Sequence, residues 1–168
     1  MQAGIDKFTI RTIEKKDNES LASIIRTTLE EFGANHPGTV YYDKATDHLF
    51  EIFSNTKGSV YYVALIDEEV MGGGGIFPTE GLPYDTCELV KMYLLPEARG
   101  IGLGQTLIRK CMEFADGHGY KNIYLETMPE LKNALKTYAK LGFRYIDHPM
   151  GNSGHFGCDL WMLKSLRP

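Results

Sequence analysis

An α/β fold built on one mixed central sheet follows from three features of the sequence. Apolar runs of strand type alternate with stretches of helical periodicity along the chain. Two of those runs, 59–66 and 70–77, are joined only through Asp67-Glu68-Glu69, which makes an antiparallel hairpin within an otherwise alternating order. Finally, Glu88 to Lys110 reads ELVKMYLLPEARGIGLGQTLIRK, a strand, a glycine-rich turn and a helix in succession. With 168 residues the chain is long enough to bury a real core, so a single domain spanning 1–168 is expected.

Phe8 to Ile13 is a short strand. Asp17 is placed to cap a helix whose Leu21, Ile24, Ile25, Thr28, Leu29 and Phe32 follow the i, i+3, i+4, i+7 pattern, and Gly33 is placed to end it. Residues 34–38 (ANHPG) form a loop, and Asp43 then caps a shorter helix that turns Leu49, Ile52 and Phe53 inward. The hairpin follows. Gly72-Gly73-Gly74-Gly75 lies inside its second strand, where glycine packs nothing. Two readings stand: a bulge or close strand crossing, or space kept for an acceptor or a cofactor tail. The strand from Glu88 ends at Pro96, which has no N–H for a sheet ladder. Leu103, Leu107, Ile108 and Cys111 mark a helix from Ile101 to about Ala115, and Gly117-His118-Gly119 turns the chain into a strand at Asn122 to Glu126. Thr127-Met128-Pro129-Glu130 has capping-box spacing for a helix with Leu131, Ala134, Leu135 and Tyr138 on one face. Gly142 stops that helix. Phe143 to Ile146, a loop at Asp147 to Gly154 and a last strand at Phe156 to Leu163 complete the order.

Composition excludes several function classes. A hydrophobic fraction of 43% with 24% charged residues is that of an ordinary globule, and a net charge of -4 gives no basic field for nucleic acid. No apolar stretch is long enough to span a bilayer, and no leader-like run opens the sequence. Cys87, Cys111 and Cys158 are odd in number without CxxC spacing, which predicts free thiols and a cytoplasmic protein. His148, His155 and Cys158 fit no common zinc spacing, so no metal is expected.

A strand, glycine loop and helix N-terminus make an anion seat. The first helical N–H groups lack intrahelical partners, the helix dipole favours negative charge, and glycine lets phosphate approach the backbone. The P-loop is excluded because Gln105-Thr106 stands where Lys-Ser/Thr is required, and Leu107 fills the third-glycine place of the dinucleotide fingerprint. What Arg99-Gly100-Ile101-Gly102-Leu103-Gly104 does match is the acyl-coenzyme A loop R/Q-x-x-G-x-G. Downstream, Ala134 to Phe143 matches A-x-x-x-Y-x-K-x-G-F. With these two motifs, which span roughly the second half, the chain resembles the GNAT superfamily of N-acetyltransferases.

That resemblance implies a GNAT-like fold whose central strands, 88–95 and 122–127, splay apart to admit the pantetheine arm of acetyl-CoA as co-substrate. Splayed strands leave backbone N–H and C=O groups that pantetheine amides can satisfy. By resemblance, the main chain of Met92, Tyr93 and Leu94 holds pantetheine and the thioester carbonyl. Arg99, Gly100, Ile101, Gly102, Leu103, Gly104 and Gln105 hold the pyrophosphate, mainly through backbone N–H. Tyr138 matches the family's general acid for the departing thiolate. A core tyrosine is the rival reading. Leu131 stands where many relatives carry an asparagine that contacts pantetheine, and Asn133 is not an obvious substitute.

A free amine is mostly protonated near neutrality, so a carboxylate must collect its proton, directly or through water. Glu88 and Glu126 are the candidates, and Glu88 is preferred because family members often place an acid on its strand. The expected partners are a small-molecule or peptide amine acceptor, with a homodimer allowed for, and neither nucleic acid nor a membrane. The 147–154 loop, with Asn152, Ser153 and neighbouring His155, is expected to set acceptor choice. A module that binds acyl-CoA without turnover is the alternative to an enzyme.

Overall fold

In a computed structural model describing residues 8–167, the chain runs β1 (Phe8–Thr12), α1 (Asn18–Glu31), α2 (Leu49–Ser54), β2 (Val60–Ile66), β3 (Glu69–Phe77), β4 (Thr86–Leu94), α3 (Leu103–His118), β5 (Asn122–Thr127), α4 (Lys132–Lys140), β6 (Arg144–Ile146) and β7 (Leu160–Ser165). The strands form one sheet in the order β1-β2-β3-β4-β5-β7-β6. All neighbours are antiparallel except β4 and β5. This is the mixed α/β sheet that the hairpin and the later strand–helix alternation predict.

Alternation along β2 shows how the layers divide. Tyr61, Val63 and Leu65 face α1, packing with its Leu21, Ile25 and Leu29. Ala64 faces the other way, against Leu103 and Leu107 of α3. On that second face Ile108 and Cys111 of α3 and Tyr138 of α4 pack with Ile123, Leu125 and Met162. Each fully buried leucine or isoleucine contributes about 1.5–3 kcal/mol, so the amphipathic stripes hold α1 and α3 in place.

The central parallel pair comes apart. β4 and β5 pair only through Thr86–Asn122, Cys87–Ile123 and Glu88–Tyr124, after which β4 continues to Leu94 and β5 to Thr127. The outer edge of β4 stays bonded to β3 and that of β5 to β7, so it is the facing edges that open. The splay expected of strands 88–95 and 122–127 is present, and it begins at Glu88.

The four glycines serve close packing. The β2–β3 register shifts at Ala64/Leu65, and the β3–β4 register shifts between Gly73 and Gly75. A Cβ on Gly73 or Gly75 would stand 2.4 or 2.5 Å from the carbonyl oxygen of Tyr62 or Val60, and one on Gly74 2.5 Å from Met92 Sδ. The first of the two readings, a bulge with close strand approach, is therefore the structural one.

Several local expectations differ from the structure. Asp17 precedes α1 but does not cap it. Its carboxylate accepts from the Arg11 guanidinium at 2.7 and 2.9 Å and from the Glu14 N–H at 2.7 Å. Asp43 caps a 3-10 turn, accepting from the Ala45 N–H at 2.9 Å, and α2 begins only at Leu49. α3 runs through Gly117 and stops at Gly119, whose φ of 97° breaks it. The capping box does not form, because pairing with Leu160 keeps Thr127 extended in the sheet and α4 starts at Lys132. The last strand starts later than expected. Gly157 instead packs against Gly38, its N–H donating to that carbonyl at 2.7 Å.

Candidate active site

A cavity of about 680 Å³ occupies the splay. Leu89, Met92, Tyr93 and Leu94 of β4 form one wall and Leu125, Glu126 and Thr127 of β5 the other, while α4 contributes Asn133, Ala134, Thr137 and Tyr138. Arg99, Gly100, Gly102, Gly104 and Gln105 close its end. A smaller cavity of about 40 Å³ shares Lys91, Tyr93, Glu126 and Thr127 with it and reaches Glu88, His155 and Cys158.

The glycine end is built as the sequence predicts. Gly102 takes the N-cap position of α3 at φ 83°, with no side chain capping the helix, so the first-turn N–H groups have no side-chain acceptor. A Cβ at Gly100 or Gly102 would meet nothing within 4 Å, leaving the loop main chain approachable. Arg99 anchors this loop. Its guanidinium donates to Glu31 of α1 at 2.6 and 3.1 Å, its Nε donates to the Leu94 carbonyl at 3.0 Å, and it lies 5.0 Å from the centre of the Phe32 ring. That ion pair holds the Glu31 carboxyl below its ordinary range. Of the ten residues assigned to the coenzyme, eight line the cavity. The side chains of Ile101, which is exposed, and Leu103, which packs with Ala64 and Ala98, do not.

Tyr138 is buried on the cavity wall, edge-on to Phe143 at 5.9 Å between ring centres. Its hydroxyl has no hydrogen-bond partner among the described residues. Burial pushes its pKa up, so the proton stays on near neutrality. Glu88 is 4% exposed and sits where the strands part, accepting from the Thr79 hydroxyl at 2.6 Å. Burial is the main cause raising its carboxyl to about 7, helped by the charge of Glu126 and opposed by the Thr79 hydrogen bond. Glu126 accepts from Tyr124 at 2.7 Å and from the Ser153 hydroxyl, which ties the 147–154 loop to the end of β5.

His155 reaches the 3-10 turn that Asp43 caps. Its Nε2 lies 3.1 Å from Asp43 Oδ2 and its Nδ1 3.9 Å from Glu126 Oε1. The His155 hydrogen bond is the largest cause holding the Asp43 carboxyl well below its usual range.

Asn133 lines the cavity at the start of α4, beside Leu131. Sequence reasoning passed over three further cavity residues: Lys91, Thr28 and Thr127. Each carried a signal. Lys91 is a charge within an apolar central strand, Thr28 is a hydroxyl on an apolar helical stripe, and Thr127 follows the strand it was expected to leave.

A parted sheet here joins a glycine-capped helix to a buried tyrosine and a buried carboxylate. The sequence profile of the Acetyltransferase (GNAT) family matches residues 21–143, and the chain belongs to that family. It is 40% identical over 158 residues to the uncharacterized N-acetyltransferase YjgM of Escherichia coli (strain K12), covering 94% of each chain. Among solved structures, a GNAT-family acetyltransferase of Staphylococcus aureus Mu50 superimposes with a TM-score of 0.80 at 20% identity, over 96% of this chain and 100% of that one. The PaiA N-acetyltransferase of Thermoplasma acidophilum, solved in complex with coenzyme A, gives 0.73 at 19% identity, over 95% and 99%. Among the described residues, no helix is long and apolar enough to cross a membrane.

Proposed function

We propose that residues 1–168 form one N-acetyltransferase domain that moves the acetyl group of acetyl-CoA directly onto a primary amine of a small molecule or peptide. The observation that carries this reading is the continuous cavity from the uncapped N-terminus of α3 to Tyr138, with Glu88 behind its wall. The fit to acetyl-CoA rests on the open strand edges, whose N–H and C=O groups suit pantetheine amides, and on the first-turn N–H groups, which suit pyrophosphate. The structurally similar PaiA enzyme is solved in complex with coenzyme A, which supports coenzyme A chemistry for this fold.

In this reading Met92, Tyr93 and Leu94 orient the thioester, and Arg99, Gly100, Ile101, Gly102, Leu103, Gly104 and Gln105 form the pyrophosphate seat through their main chain. The amine lone pair attacks the carbonyl carbon, giving a tetrahedral intermediate. The C–S bond then breaks, its electron pair leaves on sulfur, and Tyr138 donates the proton that makes the free thiol. Glu88, as carboxylate, takes the proton lost by the amine, directly or through water. A carboxyl near 7 is half ionised at neutral pH, where a general base is most effective.

Direct transfer is supported by the cysteines. All three are buried, and burial pushes the thiols of Cys87 and Cys158 up to about 12, far from the thiolate an acyl-enzyme would need. The test is thiol release from acetyl-CoA with and without amines, amino acids, polyamines and peptides. Release that depends on an acceptor is expected. Tight binding of acetyl-CoA with no release for any acceptor would make the chain a binding module instead.

A further inference from the structure

Lys91 is the buried group that the reaction above leaves unused. Its side chain is 10% exposed, and it borders both cavities. Buried charges ordinarily have hydrogen-bonded partners, because removing them from water is costly. Each carboxylate nearby has its own donors. Asp43 takes the Ala45 N–H and His155, Glu88 takes Thr79, and Glu126 takes Tyr124 and Ser153. The ammonium does not fare as well. Among the described residues the one carboxylate oxygen within 4 Å is Asp43 Oδ2 at 3.7 Å, beyond hydrogen-bond reach and already engaged by His155 at 3.1 Å.

The backbone marks the same residue. Lys91 has a φ of 51°, a left-handed conformation that costs a lysine about 1–3 kcal/mol, and it sits in the β4 bulge opposite Gly74. The Tyr61 hydroxyl holds the bulge by donating to the Lys91 carbonyl at 2.8 Å. A bulge re-aims a side chain, and here it sends an amine into the interior of the enzyme, where burial lowers its pKa and an anionic neighbour would favour its charged form. An ammonium has three donors, which suits the lone pairs of a carboxylate.

We propose that Lys91 seats a carboxylate of the acceptor, so that the amine acetylated is an amino acid or a compound carrying the same pair of groups. This deepens the N-acetyltransferase reading and rests on it. The acceptor's amine end lies toward Glu88 and Glu126, and its anionic end toward Lys91. A polyamine would bring a second cation against Lys91 and is disfavoured.

The test compares pairs that differ only by the carboxylate: phenylalanine with phenethylamine, methionine with 3-methylthiopropylamine, and lysine with cadaverine. For the pair turned over fastest, kcat/KM per free-base amine is expected to be about tenfold to a hundredfold higher for the carboxylate member, the range of a charge-assisted hydrogen bond. Lys91→Met is expected to abolish that preference while acetyl-CoA affinity holds. Calorimetry with coenzyme A and the N-acetylated product of each pair reads the same preference without turnover, so a missing reaction and a missing carboxylate site are told apart. Should Lys91→Met fail to fold, the wild-type pairs still decide. Equal or better use and binding of the decarboxylated members, or a preference that survives Lys91→Met, overturns the proposal.

Discussion

Replacing Glu88 with glutamine tests the assigned base through two properties that move in opposite directions. The carboxyl lies at about 7 against an ordinary 4.5, so ionising it in the folded protein costs about 3 kcal/mol more than in the unfolded chain. Below pH 4.5 both states are protonated and the group has no effect on stability. Between 4.5 and 7 the unfolded chain gives up a proton that the folded protein keeps, so stability falls as pH rises. Above 7 the full penalty of about 3 kcal/mol is present. Glu88→Gln has no such group. Its denaturation free energy, set against that of wild type, is expected to improve by up to about 3 kcal/mol between pH 4.5 and pH 8. Activity is expected to go the other way, with kcat falling about a hundredfold to ten-thousandfold, the usual worth of a general base. The pH profile adds a third reading. For wild type, kcat/KM rises with slope two below pH 7, where both Glu88 and the amine must lose a proton, and with slope one above it. For the variant, slope one holds throughout. Parallel stability curves together with an unchanged break near pH 7 would refute the assignment of Glu88.

Tyr138→Phe is expected to lower kcat by roughly tenfold to a thousandfold with acetyl-CoA affinity unchanged, and the deficit is expected to shrink with a donor whose leaving thiol is more acidic. Full kcat in a less stable protein would make Tyr138 a core residue. Gly104→Val tests the pyrophosphate seat without backbone strain, since a Cβ there meets only Leu94 Cδ1 at 3.5 Å. Calorimetry is expected to show acetyl-CoA binding weakened at least tenfold, about 1.4 kcal/mol, and normal binding in a folded variant would refute the seat. Exchanging Asn152 and His155 for alanine is expected to change the acceptor profile in a thiol-release screen, because His155 touches Asp43 and the loop is tied to Glu126 through Ser153. Coenzyme affinity is expected to stay constant, and an unaltered profile would separate the loop from acceptor choice.

The glycine end of the cavity was legible because its geometry is set by the main chain. Glycine at 100, 102 and 104 and proline at 96 act through φ and missing side chains, and those constraints are local enough to be read from spacing. The helical stripes of α1 and α3 were legible for a similar reason, since burial follows periodicity. The charged cluster around Lys91 was not. Asp43, Lys91, Glu126 and His155 come from four separate parts of the chain, and only the tertiary fold brings them together. The bulge that turns Lys91 inward arises where strands pair around four glycines, a tertiary event with no local spacing of its own. Capping boxes misled at Thr127 because sheet pairing outweighs a local cap worth about 1 kcal/mol.

Initial-rate kinetics with acetyl-CoA and an accepted amine varied together tests the central claim, direct transfer within the β4–β5 splay. Both substrates must occupy the cavity at once, so double-reciprocal lines are expected to intersect, and no acetyl group is expected to remain on the protein when the amine is withheld. Parallel lines with a stable acetylated enzyme would mean that a protein nucleophile carries the acyl group, and would contradict direct attack.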